Sequence, residues 1–116
     1  MRRPSEFQAL RERGNSRTHL LVVLRFTPNG LPHARFGFIV GRSVAKQAVA
    51  RNRLRRRMRE VARRTPVKPG WDLLFIARSR AAGAAFDDLR AAMRDLERRA
   101  GLLAEPAAEV TVEGVS

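Results

Sequence analysis

The sequence predicts a single small α+β domain with helices packed on a mixed β-sheet, in the order α-β-β-(β)-α-β-α, one strand being optional. Segments 20–27, 35–41 and 71–78 have the residue types of β-strands. Segments 50–61 and 86–103 repeat their apolar residues at helical spacing. A chain of 116 residues suffices for one domain with a modest core. We place that domain at residues 1–103 and expect a disordered acidic tail at residues 104–116.

A first short helix is expected between residues 5 and 14. Ser5 fits the N-cap position, and Gln8, three residues later, completes a capping box. Gly14 fits the position that follows the last turn of a helix. Phe7 and Leu10 lie three residues apart on one face. From spacing alone, that face docks two apolar side chains into the core.

Two strands follow, joined by a turn at residues 28–30. The segment 35–41 alternates clearly, so Phe36 and Phe38 should face the core with Val40. Its other face is small or cationic, with Arg35, Gly37, Ile39 and Gly41. One interpretation is a flat surface that an extended backbone can contact closely, with Arg25 as a counterpart on the preceding strand. The alternative is an ordinary strand in which Gly37 marks a bulge and Gly41 marks the end.

The arginine-rich segment 51–60 should form a helix held along one side. Stepping 100° per residue aligns its apolar positions in a stripe, made of Ala50, Leu54, Met58 and Val61. Arg51, Arg55 and Arg59 repeat at the i,i+4 spacing, at which like charges repel, and Glu60 is the one acidic residue of the segment. The helix therefore requires an external anion. Guanidinium groups suit the planar acceptors of nucleic acids.

The remaining elements complete a βαβ unit and a closing helix. Two prolines and a glycine in segment 65–70 end the arginine-rich helix. The almost continuously apolar segment 71–78 predicts a central strand covered on both faces. The final helix is amphipathic, and its apolar face consists of Phe86, Leu89, Met93, Leu96, Ala100 and Leu103.

Composition favours a polyanionic partner and offers little for a protein-borne active site. The chain has 24 basic and 11 acidic residues, a formal charge of +13, and no cysteine. No apolar run has the length of a membrane span or signal core, so we expect a cytoplasmic protein without membrane contact. His19, opening a strand, and His33, in a turn, should be surface residues. The carboxylates lack the spacing of a two-metal nuclease, and no phosphate-binding glycine loop is present.

The segment 48–56 resembles the Arg-Asn-Arg motif of the bacterial ribonuclease P protein subunit, in which a basic pair follows the triplet after one residue. The strand at 35–41 and the Arg59-Glu60 pair extend the resemblance, which covers roughly residues 4–103. It implies a left-handed βαβ crossover, whereas the general rule predicts a right-handed one. We adopt the left-handed crossover because the motif is the more specific signal.

The resemblance also implies a function: binding the catalytic RNA of ribonuclease P and the 5′ leader of precursor tRNA, to assist endonucleolytic removal of the leader. Catalysis would lie in the RNA subunit with Mg²⁺ held mainly there, and no protein partner would be required. The expected RNA-binding residues are Arg42, Lys46, Arg51, Asn52, Arg53, Arg55, Arg56 and Arg59. The expected leader-binding cleft comprises Phe7, Arg11, Arg25, Arg35 and Gly37. Phe7 matches the first of two aromatic residues of the family, and Arg11 stands in place of the second, where it can stack on a base or hold a phosphate.

Two other classes of protein share some of these features. A ribosomal or other structural RNA-binding protein has the same charge and size but no precursor substrate. A DNA-binding regulator would place the arginine-rich helix in a major groove. It would need a turn and a supporting helix just before Arg51, where a strand is expected instead.

Overall fold

The computed structural model describes residues 14–104, which form four strands and two α-helices. Their order matches the predicted one from the first strand onward. The elements are β1 (Asn15–Thr18), β2 (Val22–Pro28), β3 (Arg35–Ile39), α1 (Ala48–Arg64), β4 (Trp71–Ala77), a short 3-10 helix (Ser79–Gly83) and α2 (Phe86–Arg99). The helix expected between residues 5 and 14 and most of the expected tail lie outside the described residues.

The strands form one mixed sheet in the order β1-β2-β4-β3. β2 pairs antiparallel with β1 and β4, whereas β3 pairs parallel with β4. Because α1 connects the parallel strands β3 and β4, the βαβ unit and the α+β class are confirmed. β4 is central, as its apolar run predicts, and Asp72 through Phe75 are buried. The hand of the crossover stays a prediction.

Both α-helices pack on one face of the sheet. Cross-strand pairs place Leu24 beside Phe75 and Phe75 beside Phe38 on that face. Phe36 and Phe38 pack against the core, so the predicted alternation of β3 is confirmed. The core joins this face to the two helices, with Leu54, Met58 and Val61 from α1 and Leu89, Met93 and Leu96 from α2. Within residues 14–104, neither helix combines the length and hydrophobicity that crossing a membrane requires.

The observed boundaries differ from the predicted ones where local hydrogen bonds end an element. Strand β2 begins at Val22 because residues 19–21 form a turn, in which the N–H of His19 donates to Val22 O at 2.9 Å. His19 thus lies in a turn rather than opening a strand. Helix α2 ends at Arg99, and Gly101 follows with a φ of 76°. This left-handed residue lets the N–H of Leu102 donate to Glu97 O at 2.9 Å, closing the helix.

Candidate nucleic-acid interface

Helix α1 is fixed to the domain by one apolar side. Leu54, Met58, Val61 and Ala62 are buried, and Met58 has no exposed surface. Ala50 is only half-buried, so the stripe is confirmed at three of its four predicted positions and extended by Ala62. Contacts with β3, α2 and the 3-10 helix surround this side. The backbone of α1 is therefore held rigidly, and its other side chains point away from the core.

The outward side of α1 is cationic along its length. Asn52, Arg53, Arg56, Arg57 and Arg59 are exposed, while Arg51 and Arg55 are half-buried. Within residues 14–104, none of the arginines between positions 51 and 59 forms an ion pair with a carboxylate.

Glu60, the acidic residue of α1, is engaged at the far end of the helix. It pairs with Arg63 at 2.7 Å and with Arg64 at 2.5 Å. The hydrogen bond from Arg63, together with the charges of both arginines, lowers the pKa of Glu60 despite some desolvation. Glu60 is therefore ionised at neutral pH and offsets one of the two positive charges of Arg63 and Arg64, while the arginines of the earlier turns have no carboxylate partner within the described residues.

Two further predicted RNA-binding residues, Arg42 and Lys46, are exposed in the loop that leads into α1. The loop is ordered by a turn in which the N–H of Val44 donates to Gly41 O at 3.1 Å. Arg51 also holds it, since Nη1 donates to Ala45 O at 3.0 Å and to Lys46 O at 2.7 Å. Arg51 thus shapes the start of the cationic surface as well as adding charge to it.

The side chains on α1 are also arranged relative to each other. The Asn52 Oδ1 atom accepts a hydrogen bond from Arg55 Nη2, which orients both groups. The guanidinium of Arg59 lies over the ring of Phe38, 5.8 Å from its centroid. All eight predicted RNA-binding residues therefore lie on α1 or on the loop before it, as one continuous surface that we call the arginine face.

The three predicted leader-binding residues that the structure describes, Arg25, Arg35 and Gly37, lie on the opposite face of the sheet from the helices. Arg25 and Gly37 are both register partners of Leu74, so they share one row across β2, β4 and β3. Arg35 lies on the same face, where its Nε and Nη2 atoms donate to the two carboxylate oxygens of Asp72 at 3.0 and 3.2 Å. Its charge is compensated, so Arg35 orders the face more than it attracts an anion. Phe7 and Arg11 lie outside residues 14–104.

The described residues do not assemble an acid-base or metal-binding cluster. His19 Nδ1 accepts a hydrogen bond from the N–H of Leu21 at 3.1 Å, a structural role in the turn. His33 is exposed in the turn before β3. In the stretch from Gly14 to Ala104, no three histidines, aspartates or glutamates are grouped so as to hold a metal ion.

Sequence reasoning missed Arg57 as a candidate RNA-binding residue. Its side chain is exposed and, with Arg53, lines a groove of about 220 Å³ between α1 and the 3-10 helix. The helical projection places Arg57 at the border of the buried stripe, which suggested a less accessible position. The 3-10 helix, which forms the other wall, has no signal in the sequence.

Comparisons with known proteins identify the family of this chain. A family model described as Ribonuclease P matches residues 1–101. The chain belongs to the ribonuclease P family. A ribonuclease P protein component from Roseiflexus castenholzii is 41% identical over 106 residues, covering 89% of this chain and 86% of the relative. A second one, from Dehalococcoides mccartyi, is 36% identical over 100 residues, covering 86% and 82%.

Solved structures of ribonuclease P proteins share the fold. The protein from Thermotoga maritima superimposes with a TM-score of 0.75 at 28% identity, covering 84% of this chain and 94% of that one. The Staphylococcus aureus protein gives a TM-score of 0.79 at 21% identity, covering 90% and 96%. Membership of the ribonuclease P family gives the chain the role of a protein subunit in tRNA 5′ processing, so the alternatives of a ribosomal protein and a DNA-binding regulator are not favoured.

Proposed function

We propose that the arginine face binds the catalytic RNA of ribonuclease P, and that the chain assists the holoenzyme in removing the 5′ leader from precursor tRNA. One observation carries the proposal. The buried side chains of Leu54, Met58 and Val61 fix α1 to the core, while within the described residues no carboxylate pairs with the arginines of its first three turns.

Binding at this face would be driven by release of counterions. RNA carries a condensed layer of cations, and each phosphate that meets an arginine frees part of that layer. Because α1 is rigid, its arginines are already in place and lose less conformational freedom on binding. Contacts of this kind position an RNA without reading its sequence, which suits a partner recognised by its folded shape.

The second part of the proposal concerns the leader. Arg25 and Gly37 share a row on the sheet face away from α1, where Gly37 is buried and Arg25 is half-buried, so Arg25 is the accessible cation of this row. Phe7 and Arg11 would supply a stacking ring and a second cation. Contact with the leader would favour precursor over mature tRNA, since mature tRNA lacks that segment.

In this proposal the RNA subunit carries the chemistry and holds the assisting Mg²⁺. Mg²⁺ usually binds through one or two carboxylates together with phosphate oxygens and water, and a folded RNA supplies many phosphate oxygens. The chain contributes binding and orientation, in the cytoplasm and without another protein partner. Orientation alone accelerates a reaction when it holds substrate and catalyst in the productive geometry.

Reconstitution tests the proposal. The purified full-length protein is combined with the ribonuclease P RNA of its own genome, and cleavage is followed at low Mg²⁺. Two substrates are compared, a precursor tRNA and the same precursor with its leader shortened to one nucleotide. We expect the protein to raise kcat/KM at least tenfold on the first and much less on the second. No effect on either substrate, with co-sedimentation of the protein with ribosomes, would support a structural ribosomal role instead.

A further inference from the structure

A small aromatic pocket lies beside the arginine face, between α1 and strand β3. It has a volume of about 290 Å³ and is lined by Phe36, Phe38, Arg59, Ala62 and Arg63. We call it the Phe38 pocket. Since β3 is an edge strand, the pocket lies at the rim of the domain.

The rings of the pocket are held in a fixed orientation. Phe36 and Phe38 are parallel within 1°, with centroids 6.4 Å apart. Phe38 is parallel to the buried Phe75 within 8°, at 6.1 Å. A flat surface that is ordered in advance loses little entropy when another ring stacks on it.

Arg59 forms the outer wall of the pocket. Its guanidinium lies 5.8 Å from the Phe38 centroid, and Arg63 also lines the rim, where its charge is paired with Glu60. A ring inserted between two planes needs about 7 Å, twice the optimal carbon-carbon separation of roughly 3.5 Å. A shift of Arg59 by slightly more than an ångström, which an exposed arginine side chain makes easily, would admit a flat ring between phenyl and guanidinium.

The position of the pocket indicates its occupant. Arg59 belongs both to the pocket and to the arginine face, so whatever covers that face passes over the opening. The guanidinium of Arg59, which pairs with no carboxylate within the described residues, favours an electron-rich or anionic ligand over a cationic one. A nucleobase attached to a phosphate satisfies both requirements, because every base has a π-face and stacks on aromatic and guanidinium planes. The volume, at the lower end of ligand sites of about 300–1,000 Å³, suits a single base.

We propose that the Phe38 pocket takes one unpaired nucleobase of the RNA bound by the arginine face, stacked between Phe38 and Arg59. This inference rests on the proposed function and adds to it an anchor that does not depend on phosphate. Such an anchor would tie one particular nucleotide to α1, which phosphate contacts cannot select because they carry no sequence information.

The test separates stacking from charge by its salt dependence. Dissociation constants of the full-length protein for its ribonuclease P RNA are measured at several KCl concentrations, for the native chain and for the variants Phe38→Leu, Phe38→Tyr and Arg56→Ala. Phe38→Leu should bind roughly tenfold more weakly. Its slope of log Kd against log [KCl] should be unchanged, since a stacked base releases no counterion. Phe38→Tyr should keep native affinity. Arg56→Ala should reduce the magnitude of the slope of log Kd against log [KCl] by about one, because one phosphate contact is lost.

Several results would overturn the proposal. Native RNA affinity of Phe38→Leu would overturn it. Equal losses of affinity in the leucine and tyrosine variants would also overturn it, because binding would then not depend on an aromatic ring. A change in oligomeric state without a change in RNA affinity would assign the pocket to a second copy of the chain. If Phe38→Leu is unfolded by circular dichroism, Arg59→Lys answers the same question, because it keeps the charge but removes the second stacking plane. If Arg56→Ala shows a weaker salt dependence while Phe38→Leu binds with native affinity, only the role of the Phe38 pocket is refuted. If the native chain does not bind the RNA at all, the proposed function is refuted.

Discussion

Single arginines of α1 differ in how strongly the rest of the chain holds them. Arg51 donates two hydrogen bonds to the preceding loop, and Arg55 donates to Asn52. Arg53 and Arg56, by contrast, are exposed and have no such bonds within the described residues. Those two side chains are therefore available for RNA at little cost to the fold.

Replacing Arg53 and Arg56 together by alanine should weaken binding to the ribonuclease P RNA by at least tenfold. The magnitude of the slope of log Kd against log [KCl] should decrease by about two, because two phosphate contacts disappear. Filter binding over a salt series measures both quantities. Arg17→Ala, on the strand at the other edge of the sheet from β3, is the matched control and should change neither. An unchanged slope in the double variant would assign both side chains to solvent.

Glu97 is the residue with the most unfavourable surroundings. Its side chain on α2 is fully buried, and neither carboxylate oxygen has a hydrogen-bond partner among residues 14–104. Burial raises the pKa of Glu97 to about 8, although the charge of Arg94 opposes the shift. The folded protein therefore keeps this carboxyl protonated at neutral pH, whereas the unfolded chain ionises it near its ordinary value of 4.5.

This difference makes folding stability depend on pH. Between about pH 4.5 and pH 8 the folded state holds a proton that the unfolded state has lost, so Glu97 causes stability to fall as pH rises. The slope should reach about 1.4 kcal/mol per pH unit. Urea unfolding at pH 5, 6, 7 and 8 measures it. Glu97→Gln should flatten the profile in this window, and the control Glu60→Gln should not. An unchanged slope in Glu97→Gln would contradict a buried protonated carboxyl.

At the scale of elements, α1 depends on its apolar side for its position. Met58 has no exposed surface and contacts the core, whereas Val49 on the same helix is 67% exposed. Met58→Ala should lower the free energy of unfolding by roughly 2–5 kcal/mol, and Val49→Ala should leave it nearly unchanged. Urea denaturation gives both values. A loss of less than about 1 kcal/mol in Met58→Ala would mean that α1 is not fixed by this stripe.

The sheet face that carries Arg25 and Gly37 leads to a separate prediction about the leader. Phe7→Ala should reduce the preference for precursor over mature tRNA several-fold while leaving the affinity for the ribonuclease P RNA unchanged, because these contacts are to different RNAs. Binding of each tRNA to the reconstituted complex measures the preference. Leu20→Ala, an exposed apolar residue in a turn, is a suitable control. If Phe7→Ala weakens both kinds of binding equally, Phe7 is a core residue.

For the molecule as a whole, the sequence predicted those features that rest on local periodicity. The buried stripe of α1, the alternation of β3 and the central position of β4 each follow from the spacing of apolar residues. The arginine face could be predicted in the same way, because a helix with one apolar side must present its other residues outward. Comparison with relatives then placed this pattern in the ribonuclease P family.

The features that were missed depend on contacts between distant parts of the chain. Strand β1 has four exposed residues and exists because it pairs with β2, so no periodicity marks it. The bond between Arg35 and Asp72 joins residues 37 positions apart, and it turns a predicted leader-binding cation into a compensated one. The burial of Glu97 and the contact between Arg59 and Phe38 arise only when the helices pack against the sheet.

In the assembled holoenzyme, the RNA should cover the outward side of α1. Arginine-selective modification with phenylglyoxal, read by mass spectrometry with and without the ribonuclease P RNA, tests this most directly. We predict that Arg53, Arg56 and Arg57 are modified in the free protein and protected at least fivefold in the complex, while Arg17 and Arg98 remain reactive in both. Equal modification of the α1 arginines in the free and RNA-bound protein would contradict the account.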